Sequence, residues 1–200
     1  MKNTSEKGMV PFFPHRGDEL EHMEELLKSM LPDLSLTVIA CEVKDWNLEL
    51  SPWKGVSIDG SILGGGGADF LDWIQNSLFP RIKEQNIISE KCCIMGYSLA
   101  GLFAMWSLYE TDLFDGIVCG SGSFWVDGWS DYAGTHALRK KASIYLSLGG
   151  KEDKTDNPLM ATVGTRTKEL ERKMFRTVCE KKQECKERCE RSVTFHVIRQ

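Results

Sequence analysis

The stretch that decides the fold is Cys92-Cys93-Ile94-Met95-Gly96-Tyr97-Ser98-Leu99-Ala100-Gly101. Its first half is an apolar run with the length of a buried strand. The largely apolar residues 99–109 that follow are long enough for a helix and predict a buried one. Gly96 and Ala100 are small enough to let the chain turn tightly between the two. We therefore predict a strand, a sharp turn with Ser98 at its apex, and a helix that begins at once.

The rest of the chain alternates strand-like and helix-like segments. The predicted strands are 10–13, 36–43, 92–96, 116–120, 143–148 and 192–198. Apolar residues at helical spacing predict helices over 18–31, 68–85, 99–109 and 165–182. Strands that alternate with helices form parallel units with right-handed crossovers. We predict one α/β domain over residues 1–200, with a mostly parallel sheet of about six strands.

Composition excludes several classes of function. The chain has 25 Lys and Arg against 29 Asp and Glu, a net charge of −4, so we expect no nucleic-acid partner. No apolar run approaches the roughly 20 residues of a membrane span, and no signal-peptide segment is evident. The seven cysteines are an odd number, and the first four lie in apolar stretches, which is typical of reduced, buried thiols. We expect a cytoplasmic protein with no membrane contact.

Ser98 is the candidate nucleophile, because a serine between a buried strand and a helix has its hydroxyl exposed at the turn. The N–H of Leu99, at the start of the helix, would face the oxyanion that forms when the hydroxyl attacks a carbonyl. Ala100 stands where the G-x-S-x-G pattern has its last glycine and is nearly as small. The alternative is that Ser98 only caps the following helix, a position that serine favours.

Several segments give this chain a resemblance to a known family. They are the run 94–104, the segment 112–116, and Gly120-Ser121-Gly122-Ser123-Phe124-Trp125, with 45–53 upstream and 145–155 downstream. Over roughly residues 36–198 the sequence resembles the Putative esterase family of the α/β-hydrolase superfamily, which includes esterase D-like and siderophore-esterase-like proteins. The resemblance implies a three-layer α/β-hydrolase fold, shortened by the loss of the first antiparallel strands. It also implies a serine esterase of the small bacterial kind, without a metal or an organic cofactor.

The resemblance further implies a triad in the chain order serine, acid, histidine. Glu152 and Asp153 follow the predicted strand 143–148, where such enzymes have the acid. Counting residues from the strand end favours Glu152 and leaves Asp153 open. The alternative is a solvated acidic turn before a helix, where carboxylates are common.

The histidine is harder to assign. Only His196 follows the acid, and it lies inside the predicted strand 192–198. The family has its catalytic histidine in a glycine-rich loop after the corresponding strand, and that loop would begin near Gln200. We expect the histidine to lie beyond Gln200. His196 and, through an unusual topology, His136 stay open as alternatives, as does a protein without its base.

The loop 44–53 is expected to supply the second oxyanion N–H, with Trp46 and Asn47 as the nearest candidates. Several tryptophans near predicted strand ends indicate an aromatic pocket for an ester, although packing over the edge of the core would also explain them. The four glycines at 64–67 predict a flexible rim loop rather than a phosphate-binding loop, since no Lys-Ser or Lys-Thr pair follows them.

Together these features predict a carboxylic-ester hydrolase that acts on a small-molecule ester. A thioesterase, a peptidase or an acyltransferase with the same site stays open, and so does a non-catalytic binding protein on a hydrolase scaffold. A shortened sheet also leaves an exposed edge that a homodimer contact would cover.

Overall fold

A parallel sheet organises the protein. The computed structural model describes residues 9–15, 25, 29, 38–85, 91–184 and 197–199. The strands of the main sheet are β1 (Met9–His15), β2 (Ile39–Glu42), β5 (Lys91–Tyr97), β6 (Gly116–Gly120), β7 (Ser143–Leu148) and β8 (Val197–Arg199). Their order is β2-β1-β5-β6-β7-β8, and every pair is parallel. The parallel six-stranded sheet expected from the sequence is confirmed.

Helices connect these strands. They are α1 (Trp46–Glu49), α2 (Gly67–Trp73), α3 (Phe79–Glu84), α4 (Leu99–Glu110), α5 (Trp129–Thr135) and α6 (Val163–Glu184). A π-helical turn, Ile74–Leu78, joins α2 to α3, so the predicted helix 68–85 is interrupted before it reaches Pro80. The predicted helix 18–31 lies mostly outside the described residues, of which Glu25 and Ser29 are helical.

The centre of the core is α4. Every residue from Leu99 to Tyr109 is buried, so this helix is surrounded on all sides rather than along one stripe. On one side the ring of Phe70 in α2 lies 5.4 Å from that of Phe103. On another side the ring of Tyr109 lies 6.1 Å from that of Trp129 in α5. Ser98, directly before α4, is therefore attached to a helix whose position is set by packing on all sides.

Parallel strands bring their C-terminal ends to one side of the sheet, which we call the carboxyl edge. It is formed by the residues that follow three neighbouring strands: Ser98 after β5, 121–123 after β6 and 149–153 after β7. Ligands of α/β proteins bind at this edge. The sheet order therefore brings the predicted nucleophile and the predicted acids to the same side of the molecule.

A separate antiparallel hairpin lies between β2 and α2. It consists of β3 (Lys54–Val56) and β4 (Ile62–Gly64), and neither strand is apparent in the sequence pattern. The glycines that follow are not a loose loop. The N–H groups of Gly65 and Gly67 donate to Ser51 Oγ (2.8 Å) and to Ser51 O (2.9 Å). A Cβ at Gly64 would lie 2.9 Å from the Cα of Leu48, so the structure assigns this glycine to close packing rather than to flexibility.

Candidate active site

Ser98 occupies a strained turn between β5 and α4. Its backbone has φ 57° and ψ −120°, a combination that residues with a Cβ rarely adopt. Three main-chain hydrogen bonds hold the turn. Ser98 N donates to Gly120 O (2.9 Å), and Ser98 O accepts from Leu102 N and Ser123 N (3.0 Å each). Such strain costs about 1–3 kcal/mol and persists where the surroundings impose it, which is typical of functional positions.

The side chain of Ser98 does not cap the helix. No hydrogen bond joins its hydroxyl to the amides of the first turn of α4. Its Oγ lies instead 3.2 Å from the Oγ of Ser123, a buried side chain in the loop after β6. The helix-cap interpretation is therefore not supported, and the first amides of α4 face the region where an oxyanion would form.

Small residues make the turn possible. A Cβ at Gly96 would lie 2.4 Å from the carbonyl carbon and oxygen of Ala100. A Cβ at Gly101 would lie 3.0 Å from the Sγ of Cys119 in β6. The start of α4 thus packs directly against β5 and β6, as the small residues around Ser98 predict.

The loop after β6 connects the nucleophile to the acids. Ser123 contacts Ser98 through both its N–H and its hydroxyl. Two residues earlier, Ser121 has a positive φ of 44° and donates its hydroxyl to Glu152 Oε1 at 2.5 Å. Ser121 N also donates to Ser147 O in β7 (2.8 Å). Neither serine is among the site residues predicted from the sequence, although small polar residues directly after a central strand are a signal for such a role.

Glu152 and Asp153 have different surroundings. Besides the hydroxyl of Ser121, Glu152 Oε1 accepts the N–H of Gly149 (2.9 Å), so this carboxylate is held at the ends of β6 and β7. Asp153 is exposed and turns toward α6, since a Cβ at Gly164 would lie 2.4 Å from its Oδ2. Only Glu152 is connected through one loop to the residue that contacts Ser98, which favours it as the acid.

His136 is far from Ser98 along α4. Its Nδ1 lies 2.9 Å from Tyr132 O, and its ring stacks on that of Tyr132 at 4.1 Å. Tyr132 in turn contacts Tyr109 near the end of α4, with ring centroids 5.5 Å apart. The 11 residues from Ser98 to Tyr109 correspond to about 16 Å of helix, so His136 is not placed to act on Ser98. His22 and His196 lie outside the described residues.

The strand beside β5 is β1 and not β2. The pairing of Phe12 with Ile94 brings His15, the last residue of β1, level with Tyr97, the residue before Ser98. Trp46 and Asn47 follow β2, one strand further away. Asn47 Nδ2 donates to Ser61 Oγ (2.8 Å), and Trp46 packs partly buried against the core. On this side of the nucleophile turn the described chain ends at His15, and residues 16–24 lie outside the described part of the chain.

Four of the seven cysteines have described side chains, and these are the four that the sequence predicts to be buried thiols. Cys41, Cys92, Cys93 and Cys119 are free, and only Cys93 is half-buried rather than buried. Burial raises the pKa of Cys41 and Cys119 to about 12, so both stay protonated at neutral pH. Among the described residues, no His, Cys, Asp and Glu side chains gather in threes that could hold a metal ion. No described helix has the length and apolar character of a membrane span.

A parallel α/β sheet with a strained serine turn after a central strand defines the class of the α/β-hydrolases. The chain belongs to the Putative esterase family, whose sequence profile matches residues 42–187. No curated protein sequence matches it significantly.

Solved structures show the same fold. An IroE-like serine hydrolase from Shewanella oneidensis superposes with a TM-score of 0.70 at 16% identity, over 98% of this chain and 64% of that one. The siderophore hydrolases EstB and EstA from Aspergillus nidulans both superpose with a TM-score of 0.61 at 20% identity. These matches cover 98% and 97% of this chain and 78% and 77% of theirs. The predicted α/β-hydrolase fold is confirmed, in a chain that spans less than two thirds of the first relative.

Proposed function

We propose that this protein is a serine hydrolase that cleaves carboxylic esters, with Ser98 as its nucleophile. The observation that supports this most is the backbone of Ser98, with φ 57° and ψ −120°, combined with a hydroxyl that caps no helix amide. A serine that served only to begin α4 would adopt an extended backbone and bond to the first turn. The strained backbone of Ser98 is explained if it exposes the hydroxyl to a substrate.

In the proposed reaction Ser98 Oγ attacks the ester carbonyl carbon, and the alcohol leaves with a proton. The oxyanion forms at the N-terminus of α4, where the N–H of Leu99 and the partial positive charge of the helix stabilise it. Water then attacks the acyl-enzyme and releases the acid. Trp46 and Asn47 follow β2, which β1 separates from β5, so we do not propose either of them as the second oxyanion donor.

A histidine must take the proton from Ser98 and pass it to the alcohol. We propose Glu152 as the carboxylate that orients this histidine, because Ser121 and the N–H of Gly149 already fix its position. In the chain order of α/β-hydrolases the histidine follows the acid, and we expect it in the loop after β8. Asp153, turned toward the first turn of α6, is assigned a structural role there.

We expect a small-molecule ester as the substrate and no nucleic-acid or membrane partner. The buried free thiols support a reducing compartment, and we therefore expect the cytoplasm. A homodimer contact over an edge strand of the sheet stays a prediction.

The proposal is tested by labelling the protein with a small fluorophosphonate, which reacts with activated serines. We expect wild type and Ser130→Ala, a control at an exposed serine of α5, to be labelled, and Ser98→Ala not to be labelled. Nitrophenyl esters, thioesters and peptides then separate an esterase from a thioesterase or a peptidase. If full-length wild-type protein is not labelled, the hydrolase proposal fails in favour of a binding protein on a hydrolase scaffold.

A further inference from the structure

An arginine of α6 contacts the chain that follows Ser123, which we call the 123–126 turn. Nη1 of Arg166, in the first turn of α6, donates to the carbonyl oxygens of three consecutive residues: Phe124 (3.2 Å), Trp125 (2.6 Å) and Val126 (3.0 Å). Carbonyls that converge on one point concentrate negative partial charge there, and hydrogen bonds from a cation to such oxygens are stronger than those from a neutral donor. The guanidinium is therefore matched to this turn in both position and charge.

Two of these carbonyls depend on Arg166 for their donor. Val126 O also accepts the N–H of Trp129 (3.2 Å), whereas Phe124 O and Trp125 O have no other donor among the described residues. Both residues are buried, with 1% and 5% of their surface exposed. A buried carbonyl without a donor is unfavourable, so the peptide groups of the turn would rotate if the guanidinium were removed.

The other contacts of this segment hold its rings and its far end. The ring of Phe124 stacks on that of Trp129 at 5.1 Å, and the indole N–H of Trp53 donates to Asp127 O (2.7 Å), one residue beyond the turn. Asp127 also lies 3.8 Å from Arg166, but its side chain is 82% exposed, so this ion pair contributes little. The direction of the carbonyls in the turn is thus left to Arg166.

The 123–126 turn begins with the residue that holds the peptide group between Ser98 and Leu99. Ser123 N donates to Ser98 O (3.0 Å), and a second hydrogen bond comes from Leu102 N within α4 (3.0 Å). Since a peptide group is planar, the orientation of the Ser98 carbonyl also sets the direction of the Leu99 N–H, the proposed oxyanion donor. The hydrogen bond from Ser123 therefore opposes, from outside the helix, any rotation of this plane that would relieve the strain at Ser98.

On the basis of the proposed function, we propose that Arg166 is a positioning residue for the oxyanion donor. The guanidinium orients the 123–126 turn, and the turn presents the N–H of Ser123 to Ser98 O. That hydrogen bond keeps the N–H of Leu99 directed at the oxyanion. Arg166 is itself well anchored, because Val163, Gly164 and Thr167 around it in α6 are buried. It acts through Ser123 and not through contact with the substrate.

Kinetics of Arg166→Met, which removes the donors and the charge but keeps a long apolar stem, test this role. An oxyanion donor stabilises the transition state more than the bound ester, and removing one lowers kcat about 10²–10³-fold. A misdirected donor loses part of this, so we expect kcat for a nitrophenyl ester to fall about 10- to 100-fold, with KM within about twofold of wild type.

Two further variants serve as rescue and control. Arg166→Lys keeps a cation with several N–H donors on a shorter stem, and we expect it to recover kcat to within about fivefold of wild type. Arg172→Met is the same substitution at an exposed position of the same helix, and it should leave both kcat and KM unchanged.

Hydrogen exchange of two amides tests the structural step without activity. Ser123 N and Leu102 N both donate to Ser98 O, but only Ser123 belongs to the turn that Arg166 holds. In full-length Arg166→Met we expect the ratio of the Ser123 exchange rate to the Leu102 exchange rate to rise about tenfold over wild type. A general loss of stability would speed both amides alike, so the ratio separates positioning from destabilisation.

Wild-type kcat in folded Arg166→Met would overturn the inference, and so would a raised KM with unchanged kcat or an unchanged exchange ratio. If Arg166→Met does not fold, Arg166→Gln replaces it with the same expected and refuting results, since its amide has neither the charge nor the reach of a guanidinium. If full-length wild-type protein neither hydrolyses esters nor is labelled by the fluorophosphonate, the proposed function is refuted and the inference falls with it. A labelled wild type beside an unaffected Arg166→Met refutes the inference alone.

Discussion

The strain at Ser98 predicts that two nearly identical variants differ in stability. Ser98→Ala and Ser98→Gly both remove the hydroxyl, and with it the 3.2 Å contact to Ser123 Oγ. Alanine keeps the Cβ that makes φ 57° and ψ −120° unfavourable, whereas glycine adopts this conformation without steric cost. The pair therefore isolates the backbone strain from the chemistry of the hydroxyl.

The expected difference can be worked out. Backbone strain of this kind costs about 1–3 kcal/mol, and glycine gives back about 0.5–1 kcal/mol through the entropy of the unfolded chain. The free energy of unfolding of Ser98→Gly should therefore exceed that of Ser98→Ala by about 1 kcal/mol. For a chain of this size, that corresponds to a melting temperature about 2–4 °C higher.

Urea unfolding and thermal melts of the two purified variants measure this difference directly, and neither depends on activity. An equal or lower stability of Ser98→Gly would mean that the turn is not strained in solution. The observation on which the proposed nucleophile depends would then be lost, even if the protein turned out to hydrolyse esters by another residue.

Three further predictions concern the same site. Gly96→Ala should lower the free energy of unfolding, measured by urea titration, by about 1–3 kcal/mol, because the new Cβ would lie 2.4 Å from the backbone of α4. Gly134→Ala is the control. A Cβ there has no atom within 4 Å, so this variant should raise the free energy of unfolding slightly. A stable, fully labelled Gly96→Ala would contradict the tight turn. Glu152→Gln should slow ester hydrolysis by up to about 10⁴-fold and Asp153→Asn by less than about twofold, and the reverse order would exchange their roles. Ser123→Ala should slow fluorophosphonate labelling about fivefold through loss of its hydrogen bond, and an unchanged rate would show that the bond does not position the nucleophile.

The elements of the main sheet could be predicted because each is encoded locally. The strands 116–120 and 143–148 are short apolar runs next to glycine or polar residues, and the structure begins and ends β6 and β7 at those residues. The buried helix α4 is equally evident in the sequence, since Ser107 is the one polar residue between Leu99 and Leu108. In these segments the pattern of side chains and the final environment agree.

The order of the strands is not encoded in this way. An apolar run indicates that a strand is buried but not which strand lies beside it. The sequence therefore suggested the loop at Trp46 and Asn47 as the oxyanion loop, because it follows an early strand. In the structure β1 lies between β2 and β5, which moves that loop one strand away from Ser98.

The choice between Glu152 and Asp153 likewise depends on side-chain directions that counting does not provide. The two carboxylates are adjacent in the chain, yet one turns to the end of β6 and the other to α6. The hairpin β3–β4 was missed for a related reason, since its three-residue strands have little periodicity and its register is set by contacts with Leu48 and Ser51.

The position of the nucleophile follows from the burial of α4 more than from the contacts of the serine itself. A single hydroxyl contact of 3.2 Å to Ser123 is worth about 0.5–1.5 kcal/mol, less than the upper range of the strain at φ 57°. The eleven consecutive buried residues of α4 hold its first turn against β5 and β6, and the turn packs closely on both strands at Gly96 and Gly101. The backbone at Ser98 must then connect a strand and a helix whose relative position is set by packing. The strain is therefore imposed from outside the turn, and the hydroxyl stays available for chemistry.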